Sequence, residues 1–169
     1  MNYIPLQVQS GYTFLESSLK VEDIVNVSIE NRIPFACCSE IGNMYSFPLL
    51  NTLCKKNNLK PIFGVGLNIK INSFELLVYL YIKNEEGYSS LCNLISKDKN
   101  LENLNKYSSG LILVIPTLSN NFDSIDNLSR LLFEVSKSFE DVIGLSQFCF
   151  SQFRSTLSTM AFRTSSLLS

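Results

Sequence analysis

Histidine is absent from the 169 residues of this chain. Its absence excludes the mechanisms that need an imidazole, namely Ser-His-Asp and Cys-His catalysis, histidine acid–base catalysis and metal ligation by histidine. An excess of positive charge is lacking as well, since 14 Lys and Arg stand against 15 Asp and Glu. A surface that binds duplex DNA electrostatically normally carries such an excess, so we do not expect this segment to contact DNA directly.

Cysteine motifs and targeting segments are missing too. None of the five cysteines forms a C-x-x-C pair, which argues against a zinc ribbon or a thioredoxin-like site. The cysteines are Cys37, Cys38, Cys54, Cys92 and Cys149. Their scattered placement suits a reducing compartment, where cysteines pack as small core residues. The amino terminus has no basic region followed by an apolar run, and no stretch approaches 18 apolar residues. These features predict a cytoplasmic protein that does not enter a membrane.

What the chain does contain is typical of one globular α/β domain. Hydrophobic residues make up 46% and charged residues 17%, and the length suits a single domain with a sizeable core. Short apolar runs alternate with segments of helical periodicity, the pattern of a parallel sheet with crossover helices. The predicted strands are 3–8, 34–39, 60–69, 75–82, 109–116 and 140–148. The predicted helices are 20–32, 47–58, 84–98 and 124–139. In the first helix, the predicted apolar stripe consists of Val21, Ile24, Val25 and Ile29.

Two glutamines stand out at the end of the first predicted strand. Gln7 and Gln9 lie at i and i+2 on one face, just before a loop, where many metal enzymes place a His-x-His pair. A glutamine amide is neutral and binds divalent metals poorly. The pair therefore belongs either to an ordinary strand or to a site whose ligands have been replaced.

A second candidate position follows the strand 34–39. Glu40 precedes Gly42, which permits a tight turn, at the strand edge where α/β enzymes place catalytic groups. A turn in which Asn43 caps the next helix is the alternative, and it is favoured on the residues alone. Glu16 and Glu40 together could act as an acid–base pair or as ligands of a hard metal ion. Glutamates are more commonly solvated at the protein surface than paired in a functional site.

Two glycines interrupt the third predicted strand. Gly64 and Gly66 flank one valine, but no third glycine opens a helix, so the pattern is not a phosphate-binding fingerprint. Glycines inside a strand more often mark a bulge or a close approach of another group.

Taken together, several segments resemble the amino-terminal PHP domain of bacterial DNA polymerase III alpha subunits. The resemblance covers residues 3–117 and is most specific in "GNMY", "CKKNNLKPIFG" and "KNEEGY". Residues 118–169 match loosely. The resemblance implies a PHP-like domain over 1–169, with a distorted (β/α) barrel of mostly parallel strands. Six predicted strands are fewer than the eight of the usual closed barrel, so a truncated portion of the barrel is an open alternative. A PHP segment at the first methionine resembles the alpha subunits that lack a built-in exonuclease.

The resemblance also assigns the candidate residues to a lost metal site. Family members with a metal have the motif H-x-H-S, whereas this chain has glutamines in place of both histidines. The family motif "LLDG" corresponds to "FLES" in this chain. The family motif "TDHGNMYG" corresponds to "SEIGNMYS". The family glutamate of a G-x-E motif falls on a glycine. The vestigial metal-site positions are therefore Gln7, Gln9, Glu16, Glu40, Ile41 and Gly66. No catalytic residue, metal or other cofactor is expected in this segment.

For function, the resemblance implies a DNA-directed DNA polymerase whose PHP domain is structural. Its Mg²⁺ would be held by palm carboxylates beyond Ser169, and DNA would be contacted through the parent protein. The implied partners are the rest of the alpha chain and a separate proofreading exonuclease subunit. Two alternatives stay open, a freestanding metal-dependent PHP phosphoesterase and a non-catalytic α/β interaction module.

Overall fold

The computed structural model describes residues 5–71, 74–116 and 138–145. Within them the helices are α1 (Val21–Glu30), α2 (Phe47–Lys56), α3 (Glu85–Ser96) and α4 (Leu101–Lys106). The strands are β1 (Phe35–Ile41), β2 (Lys60–Ile71), β3 (Phe74–Ile82), β4 (Leu111–Pro116) and β5 (Asp141–Leu145). The predicted helix 124–139 falls almost wholly outside the described residues, as do positions 146–148 of the last predicted strand.

The five strands form one sheet in the order β1-β2-β3-β4-β5. β1 pairs with β2 and β4 with β5 in parallel, whereas β3 is antiparallel to both β2 and β4. Four of the five described strands therefore run in the same direction, which confirms the predicted α/β class with mostly parallel strands. As a consequence, the carboxyl ends of β1, β2, β4 and β5 lie along the same edge of the sheet.

The helices of the described part cover one face of the sheet. α1 and α2 pack on β1 through a cluster that includes Val25, Cys38 and Leu50. A larger cluster lies under α3 and α4, and Phe63 of β2 contacts both clusters. The opposite face carries Cys37, Tyr79, Tyr81 and Val114.

The helix boundaries follow from local chemistry. The side chain of Asn84 accepts a hydrogen bond from Gly87 N (2.9 Å) at the start of α3, and Asn100 does the same for Asn103 N (2.8 Å) at the start of α4. Both are helix caps in which a short polar side chain satisfies an otherwise unpaired N–H. The short helix α4 was not predicted, since six residues are too few to show a clear period.

Two details of the prediction need correction. The first predicted strand, 3–8, is not a strand over residues 5–8, although Val8 O accepts a hydrogen bond from Ser39 N (2.7 Å) and the segment runs beside β1. Pro5 has no N–H to donate, and Leu6 O is bound by side chains instead of a backbone ladder. In α1, Ile29 is 43% exposed, and Ser28 is buried in its place.

Within the described residues, no helix combines the length and apolarity needed to cross a membrane.

Candidate functional site

Three of the predicted positions meet on the sheet face away from the helices. Ile41 at the end of β1 is paired in register with Gly66 of β2, and Gly42 N donates to Gly66 O (2.9 Å). Gly66 in turn faces Tyr79 across the β2–β3 pair. Gln9 joins them because its side-chain amide donates to the Tyr79 hydroxyl (3.2 Å). We call this group of Gln9, Ile41, Gly66 and Tyr79 the Gln9–Tyr79 site.

The space beside Gly66 is already filled. A Cβ added at Gly66 would lie 2.5 Å from Ile41 Cδ1 and 3.0 Å from Tyr79 Cε1. Both distances are shorter than an ordinary contact between carbon atoms, which is about 3.5–4.0 Å. A glutamate at this position therefore has no room unless its neighbours move.

The same arrangement repeats one step along the hairpin. Gly64 faces Tyr81, and a Cβ at Gly64 would overlap the Tyr81 ring. The Tyr81 hydroxyl donates to Leu6 O (2.6 Å). The two tyrosines thus cover two glycines and hold the amino-terminal segment against the sheet at Leu6 and Gln9. The prediction that the glycines mark a close approach agrees with this packing, but the tyrosines themselves were missed.

Both phenols are protonated at neutral pH. Burial raises the pKa of Tyr79, an effect that outweighs its hydrogen bond with Gln9. Burial also raises the pKa of Tyr81, with a smaller contribution from the neighbouring Cys37. The Gln9–Tyr79 hydrogen bond is therefore one between two neutral groups.

We expect these phenols to weaken the fold at alkaline pH. A group whose pKa is raised by folding stabilises the fold below its unfolded pKa and loses this contribution as the pH rises through the folded value. For tyrosine the loss begins near pH 10. Urea unfolding at pH 8 and at about pH 10.5 should show a fall in unfolding free energy that is smaller in the variant Tyr79→Phe/Tyr81→Phe. Equal falls in the two proteins would contradict the expectation.

Glu40 lies on the other face of β1, among the helices, because successive strand residues point to opposite faces. Its carboxylate is completely buried and accepts hydrogen bonds from Ser10 Oγ (2.5 Å), Thr13 Oγ1 (2.5 Å) and Ser10 N (3.2 Å). Thr13 Oγ1 also accepts from Ile41 N (3.1 Å). Glu40 is thus bound by the loop that follows Gln9 and does not face the Gln9–Tyr79 site.

The remaining predicted positions do not converge on Glu40. Gln7 and Glu16 are both exposed to solvent. Asn43 does not cap α2; its side chain instead accepts from Tyr45 N (3.1 Å) and donates to Tyr12 O (3.1 Å). The alternative of an acid–base pair formed by Glu16 and Glu40 finds no geometric support.

The donors that are present do not fit a cluster of divalent metal ions. Across the described ranges 5–71, 74–116 and 138–145, no three His, Cys, Asp or Glu side chains are grouped so that they could hold a metal ion. The Gln9–Tyr79 site offers one amide and one protonated phenol, whereas Ile41 and Gly66 offer no ligand at all. Hard divalent ions prefer several charged oxygen ligands.

The buried cysteines supply no nucleophile. Cys37, Cys38 and Cys54 are buried and unpaired with each other. Burial and, to a smaller degree, the charge of Glu40 raise the pKa of Cys38 to about 12. Burial raises the pKa of Cys37 as well. Thiols of this kind are inert at neutral pH because the thiolate is the reactive form. Cys149 lies outside the described residues.

The fold and the site together define an α/β domain with its helices on one sheet face and a small site on the other, where Gln9 contacts Tyr79 and the charge of Glu16 adds to the rise in the pKa of Tyr79. The family model described as "PHP domain" matches residues 5–157. The chain therefore belongs to the PHP domain family.

Several curated relatives are DNA polymerase III alpha subunits. The one from Rickettsia prowazekii (strain Madrid E) is 36% identical over 123 residues, which cover 65% of this chain and 10% of the relative. The one from Staphylococcus aureus (strain Mu50) is 30% identical over 145 residues, covering 80% of this chain and 13% of the relative. This chain thus spans about a tenth of the length of the curated relatives it matches.

Solved structures with the same fold share little sequence. An amidohydrolase from Chromobacterium violaceum, with bound sulfate and no metal, aligns with a TM-score of 0.55 and 7% identity over 74% of this chain and 71% of the other. A protein assigned as a metal-dependent phosphoesterase from Bifidobacterium adolescentis aligns with a TM-score of 0.58 and 4% identity over 81% and 75%. At such identities the likeness establishes the fold alone.

Proposed function

We propose that this chain is the amino-terminal PHP domain of a replicative DNA polymerase III alpha subunit and that it is structural, without a metal. The similarity to alpha subunits over most of the chain supports the first part. The observation that carries the second part is the packing at Gly66, where Ile41 and Tyr79 occupy the space that a metal-binding glutamate would need.

The chemistry of the replaced positions supports this proposal. Phosphoester hydrolysis in such a site would need a metal-activated water, and the metal would need charged or imidazole ligands. Glutamine, isoleucine and glycine are poor substitutes for such ligands. Both carboxylate oxygens of Glu40 already accept hydrogen bonds from Ser10 and Thr13. The vestigial positions of the proposal are Gln7, Gln9, Glu16, Glu40, Ile41 and Gly66.

In the proposed parent protein, a cytoplasmic DNA-directed DNA polymerase, nucleotidyl transfer takes place outside this chain. Mg²⁺ would be bound by palm carboxylates beyond Ser169, since phosphoryl-type transfer requires the metal to neutralise developing charge. The domain, extending over 1–169, would support the polymerase body and present a surface for a separate exonuclease subunit. Its net charge of −1 fits a domain that does not grip DNA itself.

The metal-free part of the proposal can be tested by metal analysis and a hydrolysis assay. We expect the chain, incubated with Mn²⁺ or Zn²⁺ and then desalted, to retain no stoichiometric metal and to leave bis-p-nitrophenyl phosphate intact. An active metal-dependent phosphoesterase serves as the positive control. Stoichiometric metal together with hydrolysis that disappears in the variant Gln9→Ala would instead favour a freestanding PHP phosphoesterase.

The polymerase part is tested by the natural reading frame downstream of Ser169. We expect several hundred further codons that include a closely spaced pair of aspartates of the palm type. A stop codon directly after Ser169 would contradict the polymerase assignment. The chain would then be a small interaction module whose partner must be identified by binding.

A further inference from the structure

A cluster of large apolar side chains is exposed at the carboxyl end of β1. Phe14 and Leu15 are 84% and 89% exposed, and Tyr12 and Tyr45 beside them are 45% and 72% exposed. Asn43 joins the two loops that carry them, because its side-chain amide donates to Tyr12 O and its side-chain oxygen accepts from Tyr45 N. We call Tyr12, Phe14, Leu15 and Tyr45 the apolar tip.

The loop that carries the tip is held firmly at its base. Gly11 N donates to Leu19 O (2.8 Å) and Ser17 Oγ donates to Gln9 O (2.8 Å), so the loop is closed on itself. Ser10 and Thr13 are bound to the buried Glu40 carboxylate. Removing a carboxylate from water costs free energy, which its hydrogen bonds must offset. Here the carboxylate orders the loop.

The backbone at the tip is also unfavourable by itself. Leu15 has φ +65°, a left-handed conformation that a leucine seldom adopts. A local cost of this kind persists only where the surrounding structure imposes it, and such residues are frequent at binding sites. The hydrogen-bonded base and the left-handed apex direct Phe14 and Leu15 outward, and a loop backbone that is already ordered loses less entropy on binding.

An open depression lies next to the tip. Its volume is about 300 Å³, and its lining combines Tyr12, Leu19 and Leu49 with polar and charged residues that include Lys20 and Glu22. Protruding aromatic and aliphatic groups next to a pocket are typical of the anchor region of a protein–protein contact.

We propose that the apolar tip is the surface through which this domain packs on the rest of its own polymerase chain. This inference rests on the proposed function. The curated alpha subunits are about eight to ten times as long as the region they share with this chain, so the body available to cover the tip is large. β5 runs in the same direction as β1, so Leu145, at the carboxyl end of β5, lies at the edge of the sheet that carries the tip. Four strand spacings, about 19 Å, separate β1 from β5.

The inference can be tested by photo-crosslinking in the full-length polymerase. Phe14 is replaced by the photoreactive p-benzoylphenylalanine, and Tyr88, an aromatic on α3 that is 51% exposed, is replaced in the same way as a matched control. We expect illumination to join position 14 to residues beyond 169 of the same polypeptide, at a yield at least about tenfold above position 88. Crosslinks only to an added exonuclease subunit or to a second copy of the chain, or a yield no higher than the control, would overturn the inference.

A second measurement covers the case in which the photoreactive group disturbs the contact. Hydrogen exchange is compared in full-length Phe14→Ser/Leu15→Asn and in the matched variant Tyr88→Ser. Loss of a central anchor should make exchange at least about tenfold faster in the contacted segment of the body, with no such change in the control. Unchanged exchange in both variants would refute the docking inference while leaving the polymerase assignment intact. A reading frame that stops after Ser169 would refute the polymerase assignment itself.

Discussion

The variant Gly66→Glu, which introduces the glutamate that the resemblance implies for PHP domains with a metal, is expected to lose about 3 kcal/mol of unfolding free energy. The end of the Ile41 side chain can turn away from the new Cβ, but the Tyr79 ring is held by the strand and by Gln9. Gly66 is buried, so the added carboxylate would also lose its hydration without gaining a cation. Thermal unfolding followed by circular dichroism should show a Tm lower by about 10 °C.

Two further variants separate the causes of this loss. Asn68→Glu adds the same charge to the same face of β2 at an exposed position, and its effect should stay within about 0.5 kcal/mol. Gly66→Ala adds the close contact without the charge and should cost about 1 kcal/mol. If Gly66→Glu were as stable as Asn68→Glu, or were stabilised by added Mn²⁺, the site would have kept room for a metal ligand and our interpretation would be wrong.

The Gly66 environment also illustrates what the sequence could and could not predict. That a glycine inside a strand marks a close approach follows from the residue type alone. Which group approaches depends on the register of the β2–β3 hairpin, in which Gly64 and Gly66 face Tyr81 and Tyr79. The spacing Gly-x-Gly followed by Tyr-x-Tyr was a usable signal, because an antiparallel pair brings two such motifs together in reverse order.

The fold class could be predicted more fully than the site. Apolar runs and helical periodicity located all five described strands, β1 to β5, and the helices α1, α2 and α3, since burial on regular elements imposes regular spacing. The direction of a polar side chain is less predictable, because it depends on the partners that the fold supplies. Glu40 and Ile41 are adjacent in the chain and were treated as parts of one site, yet they point to opposite faces of β1.

Glu40 is the residue for which the ordinary expectation fails most clearly. A glutamate is normally solvated, and full burial requires that both carboxylate oxygens find donors. Those donors, Ser10 and Thr13, lie about thirty residues earlier in a loop without regular structure. No periodic pattern connects them to β1. The sequence identified Glu40 as unusual by its motif, but only the fold reveals that its role is to bind the loop.

Glu40→Ala is accordingly the second variant for which we expect a large effect, a loss of about 3 kcal/mol of unfolding free energy. The substitution would leave Ser10 Oγ and Thr13 Oγ1 without their acceptor in a buried environment and would open a cavity beside Cys38. Urea unfolding measures the loss. Amide hydrogen exchange should rise throughout residues 11–19, because the base of the loop would no longer be fixed.

Glu16→Ala is the matched control, because Glu16 is the other candidate glutamate and is exposed. Its removal should change the unfolding free energy by no more than about 0.5 kcal/mol. Glu40→Gln should fall between the two, because the amide keeps the shape and one acceptor oxygen but cannot accept from both hydroxyls at once. Equal stability of Glu40→Ala and Glu16→Ala would mean that the carboxylate is not needed to hold the loop. The hydrogen bonds of Ser10 and Thr13 to Glu40 would then not be what orders the loop beneath the apolar tip.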